Sequence, residues 1–232
     1  MKIFNHVGFG STFNLEPPIF EQINNEGPRF YLVSPNVKYP SITTVLGIQP
    51  EKKAGLAKWA EKIGYDNAEK EKKRTASRGT LIHEHAEFYL KNKLHELPEI
   101  QNVLYRDMFN QFIPVLDNID NIHCQESRLF SHHLRMAGTV DCIGEYEGKL
   151  SIIDFKTANK AKREEYIPDY FMQCAAYAIM YEELTRIPIT NLTVLISIEN
   201  DEPQVFKEKR DNWVDSLLDI RDYFEYQAIK NK

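Results

Sequence analysis

Two acidic residues and a lysine on neighbouring predicted strands are the residues of this sequence best suited to catalysis. Asp154 and Lys156 lie in the run Ile152-Ile153-Asp154-Phe155-Lys156, which follows a Glu147-Gly148 turn and has the β-branched content of a strand. Alternation along a strand places Asp154 and Lys156 on one face, with Ile153 and Phe155 on the other. The preceding segment, Met136 to Tyr146, carries Asp141 and should pair with this strand as a hairpin.

This pattern predicts metal-assisted chemistry. Carboxylates on two adjacent strands make a hard-oxygen site for Mg²⁺ or Mn²⁺. A lysine two residues from one of them can orient or deprotonate an attacking water and stabilise charge in a phosphoryl transition state. An isolated Asp-x-Lys is usually an exposed ion pair. Here the pair ends a hydrophobic strand and follows a strand that carries Asp141, which favours a phosphodiester-hydrolysing site.

A helix predicted from Tyr166 to Leu184 adds two polar residues to the pattern. Pro168 suits its first turn, and Gln173 and Tyr177 are four residues apart, so they lie on one side. Tyr177 alone is more typical of a packing residue than of a functional one. The amide of Gln173 beside an apolar stripe needs hydrogen-bonding partners, which favours a place near the site.

The combined motifs resemble the PD-(D/E)xK nucleases, in the RecB-like branch and the group of the mitochondrial genome maintenance exonuclease and its phage relatives. The resemblance covers roughly residues 39 to 177 and includes Pro40-Ser41-Ile42-Thr43-Thr44, Arg78-Gly79-Thr80-Leu81-Ile82-His83 and Gly138-Thr139-Val140-Asp141. It implies an α/β, restriction-endonuclease-like core: a mixed central sheet flanked by helices, with a helical N-terminal half that arches over the active site.

The resemblance also implies roles for individual residues. His83, Asp141 and Asp154 become ligands of Mg²⁺ or Mn²⁺, together with the Phe155 carbonyl. Lys156 becomes the water-activating residue, and Gln173 and Tyr177 support the lysine or the scissile strand. Glu126 sits where relatives place another acid, although a polar residue on an alternating strand explains it equally well.

The histidines near residue 83 also invite a zinc-protease interpretation, which the spacing excludes. That motif needs two histidines four residues apart on a helix, whereas Glu87 stands four residues after His83. Glu87 shares the face of His83 and is a supporting acid, and His85 is predicted at the surface. Ser77 is predicted to cap a helix that begins at Arg78, so free amides at Arg78, Gly79 and Thr80 would suit a DNA phosphate.

Basic residues around these motifs predict a track for nucleic acid despite a formal net charge of −5. Residues 51 to 78 hold nine Lys or Arg against five acids, and Thr157, Lys160, Lys162 and Arg163 follow the catalytic strand. Residues 199 to 225 hold nine acids against four bases, which should keep substrate off that face. Either basic group alone is typical of a solvated surface; flanking the metal motif, they favour phosphate binding.

Composition is that of a globular protein inside the cell. The chain has 232 residues, 42% hydrophobic and 27% charged. Cys124, Cys142 and Cys174 form no C-x-x-C pair, so we expect reduced core thiols and no iron-sulphur cluster. No stretch is apolar enough for a membrane span and no signal peptide is recognised, so a cytoplasmic location is predicted, in the host if the source is viral.

The predicted organisation is a single nuclease domain over residues 1–232. It comprises an irregular segment (1–40), a mainly helical part (41–120), the catalytic sheet with the Gln-Tyr helix (121–200) and a C-terminal helix (201–232). Helices are expected at Ser41–Leu46, Lys53–Arg74 with an interruption at Gly64, Arg78–Lys93, Pro98–Asn118 and Phe206–Ile229. Strands are expected at Arg29–Val33, Ile122–Ser131, Leu134–Tyr146, Leu150–Thr157 and Leu192–Ile198.

Three functions fit these patterns. The first is a Mg²⁺- or Mn²⁺-dependent exonuclease that acts on single-stranded DNA ends or flaps in replication, recombination or repair. The second is a structure-specific endonuclease with the same chemistry. The third is an inactive nuclease-like module that binds DNA or protein, which should have lost acids or the lysine; all are present.

Overall fold

A computed structural model describes residues 2–11, 15–23 and 28–230. Its centre is a five-stranded mixed sheet with strand order β4-β5-β6-β7-β8. These strands are β4 (Ile119–Ser131), β5 (Met136–Tyr146), β6 (Lys149–Ala158), β7 (Asn191–Ile198) and β8 (Gln204–Lys209). Strands β6 and β7 are parallel, and the other neighbours are antiparallel. This arrangement confirms the predicted mixed α/β class and the hairpin that carries Asp141 and Asp154.

Six α-helices complete the described part of the chain. They are α1 (Ile42–Leu46), α2 (Pro50–Ile63), α3 (Tyr65–Leu90), α4 (Val103–Leu116), α5 (Pro168–Thr185) and α6 (Val214–Lys230). Helix α1 begins after Ser41, whose side chain accepts a hydrogen bond from the Thr44 amide, as predicted. Helices α2 and α3 meet at Gly64, which has φ 86° and ψ 140°, a conformation that glycine adopts readily.

Each face of the sheet is covered by its own set of helices. On one face Phe171 and Tyr181 of α5 pack with Ile42 of α1 and Leu217 of α6. On the other, α3 and α4 pack on Ile153 and Phe155 of β6 through residues such as Ile82 and Phe112. Strand alternation therefore turns Ile153 and Phe155 toward α3 and α4, and leaves the opposite face of β6 for Asp154 and Lys156.

Three predicted helices were wrong in their boundaries. The helix expected from Arg78 is the second half of α3, which begins at Tyr65; Ser77 lies inside it and caps nothing. Helix α4 begins at Val103, with the Asn102 side chain accepting from the Tyr105 amide, rather than at Pro98. The helix expected from Phe206 is preceded by strand β8, so α6 starts only at Val214.

The N-terminal segment, expected to be irregular, contains a small antiparallel sheet. Its strands are β1 (Glu21–Ile23), β2 (Phe30–Ser34) and β3 (Val37–Pro40), in that order. Tyr31 of β2 is fully buried and packs with Phe20 and Ala137. A bridge between Ser41 and Ala137 ties this sheet to β5. The segment therefore forms part of the wall beside the strand that carries Asp141.

Two further structural findings concern the predictions on cysteine and membranes. Cys124, Cys142 and Cys174 are all buried free thiols, in agreement with the predicted core positions. Across the described ranges, no helix has the combined length and apolarity to span a bilayer.

Candidate active site

A cleft of about 860 Å³ lies where the two strands that carry the predicted acids meet α3 and α5. Strands β4, β5 and β6 form its floor through Glu126, Asp141 and Lys156. Helix α3 lines one side, and α5 with α1 and β2 lines the other. Most of the residues that the sequence linked to catalysis thus line one cavity, whereas Asp154 and Phe155 are buried behind its lining.

Asp141 is held in place by the strand that carries its partners. Its Oδ2 atom accepts a hydrogen bond of 2.8 Å from the Phe155 amide and lies 3.7 Å from Nδ1 of His83. Burial raises the pKa of the Asp141 carboxyl, while the Lys156 ammonium acts in the opposite direction. This carboxylate therefore lies between β6 and α3, close to the Phe155 amide and to the His83 ring.

His83, Glu126 and Asp141 make the best-formed candidate metal site. Each offers one ligand atom, and the three atoms lie within 4.8 Å of one another. Burial and the nearby Lys156 ammonium lower the pKa of His83 to about 4, which keeps its ring neutral and free to donate a lone pair. One nitrogen and two carboxylate oxygens suit Mn²⁺ or Mg²⁺.

Glu126 is therefore placed with the metal-binding candidates. It lies on β4 between Gln125 and Ser127, whose partners on β5 flank Asp141, and its backbone φ is 46°. Desolvation in the cleft and the carboxylates of Asp141 and Glu87 raise the pKa of Glu126 to about 8. Such crowding of negative charge disfavours the empty site and favours a cation.

Asp154 points toward Lys156 and α5. Oδ1 accepts a hydrogen bond of 3.1 Å from Nε2 of Gln173, and Oδ2 forms an ion pair with the Lys156 ammonium. Burial raises the pKa of Asp154 to about 6 even though Lys156 stabilises the charged form. The structure thus brings Asp154 beside the His83, Glu126 and Asp141 group, and its role as a ligand stays a prediction.

Lys156 is a partly buried cation paired with acids. Burial disfavours its ammonium, but the carboxylates of Asp154 and Asp141 outweigh burial and raise the pKa of Lys156. The ammonium also lies 5.2 Å from the centre of the Tyr170 ring. Lys156 is therefore protonated at neutral pH and acts as a fixed positive charge in this arrangement.

Gln173 and Tyr177 have different partners. Gln173 contacts Asp154, whereas the Tyr177 hydroxyl donates a hydrogen bond of 2.6 Å to the Thr139 carbonyl of β5. A side chain at Gly138 would place Cβ 2.8 Å from that hydroxyl, so glycine is what allows α5 to approach β5 this closely. The Gly138-Thr139-Val140-Asp141 motif thereby receives a packing explanation.

Several predicted DNA contacts are placed differently from expectation. The amides of Arg78, Gly79 and Thr80 lie inside α3, so they are no helix N-terminus for phosphate. Arg78 is 2% exposed and forms an ion pair with Glu199, which removes it from the surface track. Gly79 and Thr80 do line the cleft. His85, expected at the surface, is buried with Nδ1 2.9 Å from the Leu81 carbonyl.

The other predicted contacts lie outside the cleft lining or at its side. Lys160, Lys162 and Arg163 are exposed in the connection between β6 and α5, and Thr157 is half-buried at the end of β6. Glu87 lines the cleft and pairs with Lys91. Arg29 and Lys52 also line the cleft. Lys52 belongs to the predicted basic stretch of residues 51–78, whereas the sequence patterns gave Arg29 no role.

Comparison with known proteins agrees with this geometry. Human mitochondrial genome maintenance exonuclease 1 is 27% identical over 129 residues, covering 53% of this chain and 38% of the human protein. The Xenopus tropicalis protein of the same name is 33% identical over 94 residues, covering 38% of this chain and 26% of its own length. The mouse protein is 29% identical over 149 residues, covering 60% and 43%. The alignments thus span less than half of each relative.

A sequence profile of the PD-(D/E)XK nuclease superfamily matches residues 105–227. That range contains β4, β5, β6 and α5, and with them every predicted site residue except those on α3. More than half of the chain is matched. Asp141 and Lys156 line one cleft, and Asp154 is paired with Lys156. This protein is therefore a member of the PD-(D/E)XK nuclease superfamily.

Proposed function

We propose that this protein is a divalent-metal-dependent DNA exonuclease that hydrolyses phosphodiester bonds from single-stranded ends or flaps, in DNA replication, recombination or repair. The observation that carries the proposal is the convergence of Asp141 and Lys156 with His83 and Glu126 in one cleft, with the buried Asp154 paired to Lys156 directly behind its lining. The names of the curated relatives, mitochondrial genome maintenance exonuclease 1, support the exonuclease mode.

The donor set fits the divalent cation that this superfamily uses. His83, Glu126 and Asp141 would hold it, with Asp154 and the Phe155 carbonyl as the further predicted ligands. When bound, Mg²⁺ or Mn²⁺ supplies Lewis-acid chemistry: it polarises a phosphate oxygen and lowers the pKa of water. The neutral His83 ring and the crowded carboxylates are consistent with that occupant.

The protein's own residues supply positioning and charge. Lys156, protonated and fixed by Asp154, places a positive charge where negative charge develops on the phosphate during attack. Gln173 fixes Asp154 through Oδ1 and so orients the ion pair. Tyr177 holds the backbone of β5 next to Asp141. Proton abstraction by Lys156 would first require loss of its own proton, so electrostatic stabilisation is the role that its surroundings favour.

An ion pair and a hydrogen bond join the start of α2 to α5 beside the cleft. Lys52 of α2 forms an ion pair with Asp169 in the first turn of α5, and Nε2 of Gln49 donates a 3.0 Å hydrogen bond to the same carboxylate. Both Lys52 and Asp169 line the cleft. The preference for single-stranded ends in this proposal comes from the predicted helical arch, and this ion pair joins α2 to α5 at the edge of the cleft.

Digestion of end-labelled linear and circular single strands tests the proposal. We expect linear DNA to be shortened with Mg²⁺ or Mn²⁺ and left intact with EDTA, while circular single strands persist under all conditions. Cutting of circles would replace the exonuclease by the endonuclease hypothesis. Absence of cleavage in every metal, with DNA binding retained, would support the inactive module instead.

A further inference from the structure

The cations that line the cleft differ in what neutralises them. Lys156 is paired with Asp154, and Lys52 with Asp169. The Arg29 guanidinium, by contrast, forms no ion pair, side-chain hydrogen bond or ring contact with any residue in the ranges 2–11, 15–23 and 28–230. Within that part of the protein, Arg29 is thus a cleft cation whose charge is not already balanced by a carboxylate.

The backbone of Arg29 is held firmly although its side chain is exposed. Its amide donates a 3.0 Å hydrogen bond to Oγ1 of Thr44, and its carbonyl accepts from the Thr44 hydroxyl at 3.1 Å and from the Ser41 amide at 2.8 Å. Ser41 and Thr44 belong to the N-terminal turn of α1, and the Ser41 hydroxyl donates to Thr44 at 2.8 Å. Three hydrogen bonds therefore fix the point from which the guanidinium extends into the cleft.

The two sides of the cleft differ in charge. Arg29 directly precedes β2, whose Tyr31 is buried, and α1 belongs to the face of the sheet that α5 covers. Across the cleft, α3 contributes Glu84 and Glu87. A nucleic-acid strand with one phosphate at the metal-binding acids needs a cation near its neighbouring phosphates. The α3 side of the cleft offers carboxylates, which would repel them, whereas Arg29 offers a positive charge.

We propose that Arg29 binds a backbone phosphate of the substrate strand next to the scissile one, and so holds the strand against the wall made by β2 and α1. This inference rests on the proposed nuclease function. The planar guanidinium can donate two parallel hydrogen bonds to phosphate oxygens, which a lysine cannot match. Because phosphate contacts carry no sequence information, the contribution of Arg29 is the same for every base.

Binding and turnover of Arg29→Ala, Arg29→Lys and the control Arg106→Ala test the proposal. Arg106 is an exposed arginine on α4, outside the cleft lining. Labelled single strands are bound in Ca²⁺ at several salt concentrations and cut in Mn²⁺. For Arg29→Ala we expect about tenfold weaker binding, a raised KM with kcat kept, and a salt slope smaller by about 0.7. Arg29→Lys should recover the salt slope but only part of the affinity.

Strands with a single methylphosphonate, which removes the charge of one chosen phosphate, locate the contact. Wild type should lose affinity at one position near the cleaved bond, and Arg29→Ala should lose nothing further there. If wild type cuts DNA and Arg29→Ala behaves like Arg106→Ala, the inference about Arg29 is overturned and the nuclease proposal stands. If wild type neither binds nor cuts DNA, the proposed function fails first. A loss in Arg29→Ala confined to one base identity would also overturn the phosphate assignment.

Discussion

At the scale of single residues, the charge of Lys156 decides what the site can do. Asp154 and Asp141 hold the ammonium of this partly buried lysine protonated. Under the proposed function, the lysine would bring a fixed positive charge to the substrate phosphate. Electrostatic groups aimed at developing charge typically contribute 10²- to 10³-fold each in rate. The same charge lowers the pKa of His83 and keeps it a neutral ligand candidate. A change at Lys156 therefore acts on both the reaction and the cation site.

We expect Lys156→Ala to lower kcat by about 10³-fold or more while single-strand affinity changes little, because the ammonium acts mainly on charge that develops during the reaction. Asp154→Ala should behave the same way. The measurement is single-turnover cleavage, with thermal melts to check folding. Lys149→Ala, an exposed lysine at the other end of β6, is the matched control. Near-native turnover in Lys156→Ala would contradict its assignment.

Glu126 gives the metal-free protein a pH-dependent weakness. Its folded pKa of about 8 lies above the value near 4.3 of an unfolded glutamate. Folding therefore favours the protonated form, and the metal-free protein should lose stability as pH rises from about 4.3 to 8. Glu126→Gln should remove this loss, so that in EDTA the variant melts higher than wild type at pH 8 and equally at pH 4.

Added Mn²⁺ should reverse the order of the two proteins, since wild type keeps the carboxylate that the cation needs. Melting curves with EDTA and with Mn²⁺ at both pH values provide the measurement. Glu99→Gln, an exposed acid outside the cleft, should follow wild type throughout. A Glu126→Gln protein with the same Mn²⁺ stabilisation as wild type would exclude Glu126 from the cation site.

At the scale of elements, the sequence predicted what local patterns determine. The Ser41 cap, the β5–β6 hairpin and the break at Gly64 each follow from a few adjacent residues. The prediction that a helix begins at Arg78 was wrong. Ser77 and Gly79 are typical of a helix N-terminus, but in the structure α3 continues through both residues. A Cβ at Gly79 would meet only Oγ1 of Thr157 at 3.7 Å, so this glycine marks neither a turn nor a close approach.

Strand β8 was missed although its alternation was present. Its residues alternate between half-buried and exposed from Gln204 to Lys209, the period of a strand. The charged residues that follow drew the prediction toward one long helix. By contrast, the sequence predicted that Asp141, Asp154 and Lys156 lie together, because strand spacing alone determines this. It did not predict that Arg29 lines the cleft, since the position of Arg29 depends on hydrogen bonds to a helix fifteen residues away.

Because α5 lies so close to β5, we expect a side chain at Gly138 to destabilise the protein. A Cβ there would lie 2.8 Å from the Tyr177 hydroxyl and 3.3 Å from Cδ1 of Ile42, so Gly138→Ala must push α5 or α1 outward. Overpacking of this kind costs about 1–3 kcal/mol. We expect a loss of that size in the free energy of unfolding from urea titrations, and reduced cleavage because Asp141 is three residues away on the same strand.

A second change separates crowding from other effects of the alanine. Tyr177→Phe removes the hydroxyl but leaves the ring carbon that lies 2.9 Å from the added Cβ, so it should relieve part of the cost. In the double variant the loss should be smaller than the sum of the two single losses. Gly148→Ala, where the added Cβ meets no atom within 4 Å, tests a glycine at positive φ without crowding. Strict additivity at positions 138 and 177 would contradict the packing explanation.

At the scale of the whole molecule, basic and acidic stretches that are far apart in the sequence form ion pairs with each other. The basic stretch of residues 51–78 and the acidic stretch that begins at Glu199 were expected on separate faces. Instead, Arg74 and Arg78 of α3 pair with Glu199 at the end of β7. Part of the predicted basic track is therefore internal, and it joins the helix that carries His83 to the central sheet.

Of the two ion pairs that join α3 to Glu199 in the described part of the chain, the one with Arg78 is the less exposed. The side chain of Arg78 is 2% exposed and that of Glu199 is 12% exposed. Breaking a buried pair leaves an uncompensated charge, which costs about 3–5 kcal/mol. We expect Glu199→Gln to lower the free energy of unfolding by about 3 kcal/mol in urea titrations, whereas the exposed Glu202→Gln should change it little.

The same pair predicts how stability depends on acid. Burial acts to raise the pKa of Glu199, but the hydrogen bonds from Arg74 and Arg78 outweigh it and hold the pKa below its ordinary value. The contribution of this carboxylate is therefore present above about pH 4.3 and is lost as pH falls through its lower folded pKa. The Glu199→Gln variant has no carboxylate at this position to protonate, so its free energy of unfolding should fall less between pH 5 and pH 2 than that of wild type. Parallel acid dependence of the two proteins would show that α3 is joined to the sheet by packing of its apolar face rather than by this pair.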